Sequence, residues 1–175
     1  MPREVRLLPA DGMAAIRRGA GETSPRCCYV CHEIGSGPYY AYLWGAELRA
    51  YFDLPAAGHM LATNLHADTC QQARAQICTD NGVSEEALRR MNLMVFMSVR
   101  RGGLRLRRRI DTVWDSDCRE PHRLVFSADS ASTEPSTLIS ADDTARARRT
   151  IDQLMADGAR TIEQVRAAIV SDRGE

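Results

Sequence analysis

The sequence contains no lysine, and all 23 basic residues of its 175 residues are arginine. It also lacks any apolar run near the roughly 20 residues that a membrane-spanning helix needs, so we expect no membrane partner. The first ten residues include Arg3, Glu4 and Arg6 and have no apolar segment, so we expect no secretory signal. These absences predict an intracellular protein in a reducing compartment, which is the cytoplasm or, for a viral or eukaryotic protein, the nucleus.

The charges cancel overall but are unevenly distributed along the chain. The 23 arginines balance 23 acidic residues, and the formal net charge is zero. Residues 84–109 hold eight arginines against two glutamates, which gives +6, whereas residues 129–175 hold six arginines against nine acidic residues, which gives −3. A partner selected by charge must therefore recognise a local patch. The exclusive use of arginine fits a GC-rich genome as well as it fits selection for guanidinium groups.

Composition and turn residues predict an α+β protein in four segments. We expect an N-terminal extension over 1–25 and an α+β domain over 26–127 that binds zinc. A stretch rich in Ser, Thr and Ala indicates a linker over 128–140, and two amphipathic patterns indicate a C-terminal helical pair over 141–175.

Local patterns predict the elements of the central domain. Good helix formers indicate a helix over 66–77, and Ser84 is a suitable N-cap for a second helix whose apolar face continues through Val95. Apolar and arginine residues then alternate over 104–114, which predicts a strand. A turn precedes a partner strand over 123–127, so we expect a β-hairpin.

The cysteines suggest a metal site, because six cysteines in a reducing compartment rarely form disulfides. Cys28 and Cys31 form a Cys-x-x-Cys knuckle, and His66 and Cys70 are spaced to lie on one helix face. Tetrahedral Zn²⁺ takes such a set of four ligands. Knuckle, aromatic segment and helix make a treble-clef-like layout, and the spacing resembles that of BED-type zinc fingers over 27–78. The sequence thus predicts a closed, structural Zn²⁺ site.

The ligand set leaves alternatives open. Cys27 can replace Cys28, and His59 can replace His66, at similar spacing. Cys78 lies two turns beyond Cys70, and we interpret it as a small buried hydrophobe.

Two further cysteine motifs suggest other chemistry. The run over 28–32 matches the Cys-x-x-Cys-His motif of c-type haem attachment and also allows a dithiol redox centre, but we favour zinc over both. Cys118 and His122 lie on a turn between the predicted strands, and we expect no metal there, because no second ligand pair is near.

The clearest candidate for partner binding is an arginine-rich face. Alternation on the predicted strand places arginines about 6.6 Å apart on one side, a spacing close to that of nucleic-acid phosphates. Tyrosines 39, 40 and 42 are candidates for stacking on bases. We therefore predict nucleic-acid binding, including DNA binding, through Arg100, Arg101, Arg105, Arg107 and Arg109.

The alternative function is an adaptor or assembly protein of viral, phage or bacterial origin. Its partner-binding stripe would lie on the C-terminal helical pair, because neither helix can bury its apolar face alone. The stripe consists of Ile151, Leu154, Ile162 and Val165. We find no complete catalytic motif, such as a Walker loop or a dinucleotide fingerprint, and therefore expect a non-enzymatic role over an enzymatic one.

Overall fold

A computed structural model describes residues 5–10, 13–21, 26–102, 105–130 and 132–172. The chain divides into two compact units, Met1–Glu134 and Pro135–Glu175, and the division falls inside the predicted linker. In chain order the first unit contains β1 (Arg6–Pro9), α1 (Met13–Gly21), β2 (Cys27–Val30), β3 (Glu33–Ile34), β4 (Tyr42–Leu43), α2 (Gly45–Asp53), a 3-10 turn (Leu54–Ala57), β5 (Met60–Ala62), α3 (Cys70–Arg74), a π-helical turn (Ala75–Asp80), α4 (Glu85–Arg89), β6 (Leu93–Gly102), β7 (Arg105–Asp115), β8 (Arg123–Ser127) and β9 (Ser132–Thr133).

A parallel sheet lies at the centre of the first unit. Its strand order is β1-β2-β5, and β2 pairs in parallel with both neighbours. Cys27, Cys28 and Tyr29 are all buried, which is typical of a strand covered on both faces. The segment predicted as an N-terminal extension therefore supplies β1, an edge strand of this sheet.

Helix α2 closes the core beside the parallel sheet. Leu48, Tyr51 and Phe52 are fully buried on one side of this helix. The Tyr51 hydroxyl lies 2.9 Å from the carbonyl oxygens of both Tyr29 and Ala62, and so links β2 to β5 from the helix side. Burial raises the pKa of the Tyr51 phenol, so the hydroxyl keeps its proton to donate.

A short parallel pair continues the chain from the carboxyl end of β2. Strand β3 pairs with β4, so that Glu33 is opposite Tyr42 and Ile34 is opposite Leu43. Ile34 also forms a parallel bridge with Leu65, which follows β5. Residues that follow β2 and β5 are therefore held next to each other.

The third sheet is antiparallel and has the order β6-β7-β8-β9. Strands β7 and β8 confirm the two strands and the hairpin that the sequence predicts. The longest pairing, however, joins β6 to β7, with an irregularity after Phe96.

The helix predicted to start at Ser84, to carry Val95 on its apolar face and to stop at Gly102 and Gly103 is wrong beyond its first turn. The Ser84 hydroxyl caps α4 by accepting a hydrogen bond from the Ala87 amide at 3.1 Å, but this helix ends at Arg89. Strand β6 follows, and its residues alternate: Met94 and Phe96 are buried, whereas Val95 is exposed. Apolar residues on both faces of a strand produce a continuous run that also satisfies a helical spacing.

The helix predicted over 66–77 begins later than expected. Thr69 is its N-cap, with its hydroxyl 3.1 Å from the Gln72 amide nitrogen, so α3 starts at Cys70. The α+β class is confirmed. The treble-clef layout is not confirmed, because the predicted knuckle lies on and after a parallel strand.

The second unit contains two helices, α5 (Ala141–Ala156) and α6 (Ile162–Asp172), at the positions predicted. The Thr161 hydroxyl accepts from the Gln164 amide at 3.3 Å, and the Gln164 side chain accepts from the Thr161 amide at 3.0 Å. This reciprocal pair is a capping box that fixes the start of α6. No helix of the described ranges is long and apolar enough to cross a membrane.

The Tyr51 hydroxyl provides a test of the core. Tyr51→Phe removes the link between β2 and β5 without changing the packing volume much, and we expect it to lower the free energy of unfolding by about 1 to 2 kcal/mol. Urea denaturation followed by circular dichroism measures this change. Tyr39→Phe, at an exposed tyrosine, is the matched control, and equal unfolding midpoints for both variants would contradict the prediction.

Candidate functional site

The first two predicted zinc ligands lie within β2 and directly after it. Cys28 is buried within the strand, and this burial raises the pKa of its thiol. The Cys31 thiol is also buried and donates a hydrogen bond to the Glu33 carbonyl oxygen at 3.3 Å. Zinc binds thiolates, and burial disfavours the thiolate of Cys28 because it raises the pKa of the thiol.

The second pair does not share a helix face. His66 lies before α3 and Cys70 is its first residue, so the predicted i, i+4 geometry is absent. Across the described ranges, no three His, Cys, Asp or Glu side chains form a group that could hold a metal ion. The zinc site at Cys28, Cys31, His66 and Cys70 stays a prediction from spacing, and the geometry lends it no support.

The alternative ligands have other contacts. His59 is buried, accepts a hydrogen bond from the Cys27 amide at its Nδ1 at 3.3 Å, and packs edge-on against Tyr29. His122 Nε2 donates to the Met91 carbonyl oxygen at 2.6 Å, and the Cys118 sulfur accepts from the Asn92 side-chain amide at 3.0 Å. His59 therefore packs against the parallel sheet, and Cys118 and His122 hold the turn between β7 and β8 against the start of β6.

The structure instead brings together a polar cluster, which we call the Glu33 cluster: Glu33, Tyr42 and His66. The Glu33 carboxylate is buried, and its Oε1 lies 3.2 Å from Nε2 of His66. Tyr42 is directly opposite Glu33 in the register of β3 and β4, and Glu33 raises the pKa of the Tyr42 phenol. The His66 side chain is 84% exposed, so the cluster reaches from the interior to solvent.

Tyr42 is held closely by the backbone around it. The hydrogen bond to Glu33 is the largest cause that raises the pKa of Tyr42, with burial and the charge of Glu33 acting in the same direction. A Cβ on Gly35 would lie 3.1 Å from the Tyr42 Cβ, a tight contact that would require Tyr42 to shift by a few tenths of an ångström. Ala41 has a φ of 63°, a left-handed conformation that is costly for a residue with a side chain.

A groove of about 630 Å³ opens next to the cluster. One wall is the segment that follows β5, from Thr63 through His66 to Asp68, and the facing wall is the start of β6 over 93–97. Gln72 and Gln76 on α3 and its π-helical continuation also line it. This volume lies within the range of small-molecule sites, and the lining combines apolar side chains with six polar ones.

This arrangement has the parts of an acid–base site. A buried carboxylate with two fixed neighbours is suited to accept a proton, and a solvent-exposed imidazole is suited to pass it on. The sequence analysis missed Glu33, and it assigned Tyr42 only to base stacking. The sequence signal that could have identified the cluster is position, because Glu33 and His66 each follow a short apolar strand by a few residues.

The predicted arginine face is divided between two strands. Arg107 and Arg108 are exposed, and Arg109 forms ion pairs with Asp111 at 3.4 Å and with Asp129. The side chains of Arg100, Arg101 and Arg105 lie outside the part of the structure that is described. By backbone register, Arg100 is directly opposite Arg107.

The predicted partner stripe is exposed within the second unit. Ile151 and Ile162 expose more than half of their side chains, Val165 is also exposed, and Leu154 is half-buried. The adaptor role that the stripe suggests stays a prediction.

The sequence matches no protein-family model and no curated protein. The interpretation of the Glu33 cluster therefore depends on its own geometry.

The Tyr42 phenol reports on the Glu33 carboxylate. Glu33→Gln removes the charge and the strong acceptor, so we expect the pKa of Tyr42 to fall toward its ordinary value. Titration of the Tyr42 Cζ resonance by ¹³C NMR measures this. Glu47→Gln, the same substitution on α2, should leave the titration of Tyr42 unchanged, and an unchanged titration in Glu33→Gln would show that the hydrogen bond does not form in solution.

Proposed function

We propose that the first unit contains a hydrolytic site in which Glu33 is the general base and His66 is its proton-transfer partner. The observation that supports this most is the 3.2 Å contact between a buried carboxylate and an exposed imidazole, at the carboxyl ends of two parallel strands and beside a groove. In open α/β sheets, ligands bind at the carboxyl ends of the strands.

The proposed reaction assigns a distinct role to each member of the cluster. The Glu33 carboxylate takes a proton from water, and the water oxygen attacks the electrophilic centre of a substrate in the groove. As the bond to the leaving group breaks, protonated His66 donates its proton to that group. The proton on Glu33 then passes to His66, and this restores both residues. Tyr42 keeps the carboxylate oriented throughout.

Generic substrates test this proposal, with p-nitrophenyl acetate, bis(p-nitrophenyl) phosphate and ATP as probes of ester, phosphodiester and anhydride hydrolysis. We expect turnover of at least one probe, and a fall in kcat of about 100-fold or more in Glu33→Gln, because a general base contributes about that much. Glu47→Gln is the control of equal charge change and should retain the wild-type rate. If wild type and Glu33→Gln hydrolyse every probe at the same rate, the proposal is wrong.

We propose nucleic-acid binding by the β6–β7 hairpin as a second candidate function. The observation that favours it is the cross-strand register of Arg100 with Arg107. Like charges at directly opposite positions destabilise a sheet, and an anionic backbone would relieve that repulsion. Arg109 forms ion pairs with two aspartates, so it contributes less to the binding of phosphates than an arginine without such pairs would.

Salt dependence distinguishes nucleic-acid binding by the hairpin from partner binding through the apolar stripe of the C-terminal helices. We expect a labelled 20-nucleotide DNA strand to bind more weakly as salt rises, and the double variant Arg100→Ala/Arg107→Ala to reduce the log–log slope by about 1.4, since each phosphate contact contributes about 0.7. Fluorescence anisotropy measures both. Arg17→Ala/Arg18→Ala on α1 removes the same charge elsewhere and should keep the slope, and an equal loss in both double variants would argue against a hairpin site.

A further inference from the structure

The Asn81 side chain joins the three segments around the Glu33 cluster. Asn81 is 3% exposed and follows the π-helical turn. Its Oδ1 accepts a hydrogen bond from the Gly45 amide at 2.7 Å, and its Nδ2 donates to the carbonyl oxygens of Gly35 at 3.1 Å and Gln76 at 2.7 Å. Both donor hydrogens and the acceptor oxygen are thus used, which fixes the orientation of the amide.

Each of these contacts lies next to a part of the site. Gly35 follows β3, which contains Glu33, and Gly45 follows β4, which begins at Tyr42. Gln76 lines the groove. The amide therefore fixes the ends of the two short strands relative to each other and to the groove wall, across sequence separations of 46, 36 and 5 residues.

The two strands need such an external contact because they are short. Strands β3 and β4 contain two residues each, so few ladder hydrogen bonds hold Glu33 opposite Tyr42. The segment between them includes Ala41 in a left-handed conformation, which is strained and must be held by its surroundings. π-helical turns of the kind that precedes Asn81 occur frequently at functional sites.

We infer that Asn81 is a positioning residue for the Glu33 cluster: by clamping Gly35 and Gly45 it holds Glu33 opposite Tyr42 and beside His66. The inference rests on the proposed function, because it assigns Asn81 a task in orienting the general base. Arg49 supports the clamp from outside, since its Nη1 donates to the Asn81 carbonyl oxygen at 2.8 Å.

The test uses Asn81→Ala in the full chain and reads the contact between Tyr42 and Glu33 directly. We expect the ¹³C titration of Tyr42 to shift toward that of Glu33→Gln, while circular dichroism shows that the fold is retained. Asn92→Ala is the matched control, because the Asn92 amide also donates to a carbonyl oxygen, that of Ser116 at 2.9 Å, away from β3 and β4. A folded Asn81→Ala protein with the wild-type titration of Tyr42 would overturn the inference.

The titration of Tyr42 in a second variant and the kinetics of Asn81→Ala provide two further tests. If Asn81→Ala does not fold, Arg49→Met at the exposed side of the clamp should give a smaller shift of Tyr42 in the same direction, and no shift in that folded variant would overturn the inference. With a probe that the wild type hydrolyses, Asn81→Ala should lower kcat at least 10-fold, since it releases the segments that hold the base. The titration of Tyr42 needs no activity, so its outcome is separate from that of the proposed hydrolysis.

Discussion

Parallel pairing of β2 with β5 is the constraint on which the rest of the first unit depends. Because the two strands run in the same direction, the residues that follow them emerge at one edge. Ile34 and Leu65 extend this contact by one more bridge, and the side chains adjacent to them, Glu33 and His66, come within 3.2 Å. An antiparallel pairing of the same segments would place these two side chains at opposite ends of the sheet.

A buried carboxylate requires compensation for the water that it loses. An unpaired buried polar group costs several kcal/mol, and a charged one costs more. At Glu33 that compensation comes from the His66 imidazole, whose Nε2 lies 3.2 Å from the carboxylate, and Tyr42 is opposite Glu33 in the strand register. The contact that makes the burial tolerable also fixes the direction of the carboxylate, so stability and orientation have a common origin here. A core chosen for stability alone would have an apolar residue at this position.

The sequence was informative where local rules decide the structure. Alternation predicted β7, the turn after it predicted β8, and Ser84 predicted the start of α4, because these signals act over a few neighbouring residues. It failed for β6, whose buried Met94 and exposed Val95 fit a helical and a strand period equally well. The Glu33 cluster was beyond local rules, since its members come together only through the parallel register. The spacing of His66 and Cys70 implied a shared helix face, but α3 starts at Cys70 and leaves His66 outside it.

The two walls of the groove differ in what they offer a ligand. The wall after β5 carries His66 and hydrogen-bonding side chains, whereas the facing wall is the apolar start of β6. Val95 and Met97 remain exposed there, at 43% and 71%, as one face of an antiparallel strand can be. Covering them with a ligand would contribute hydrophobic free energy at about 25 cal/mol per Å² buried. Affinity would then come mainly from β6 and chemistry from the Glu33 cluster, so that substitutions on one wall need not impair the other.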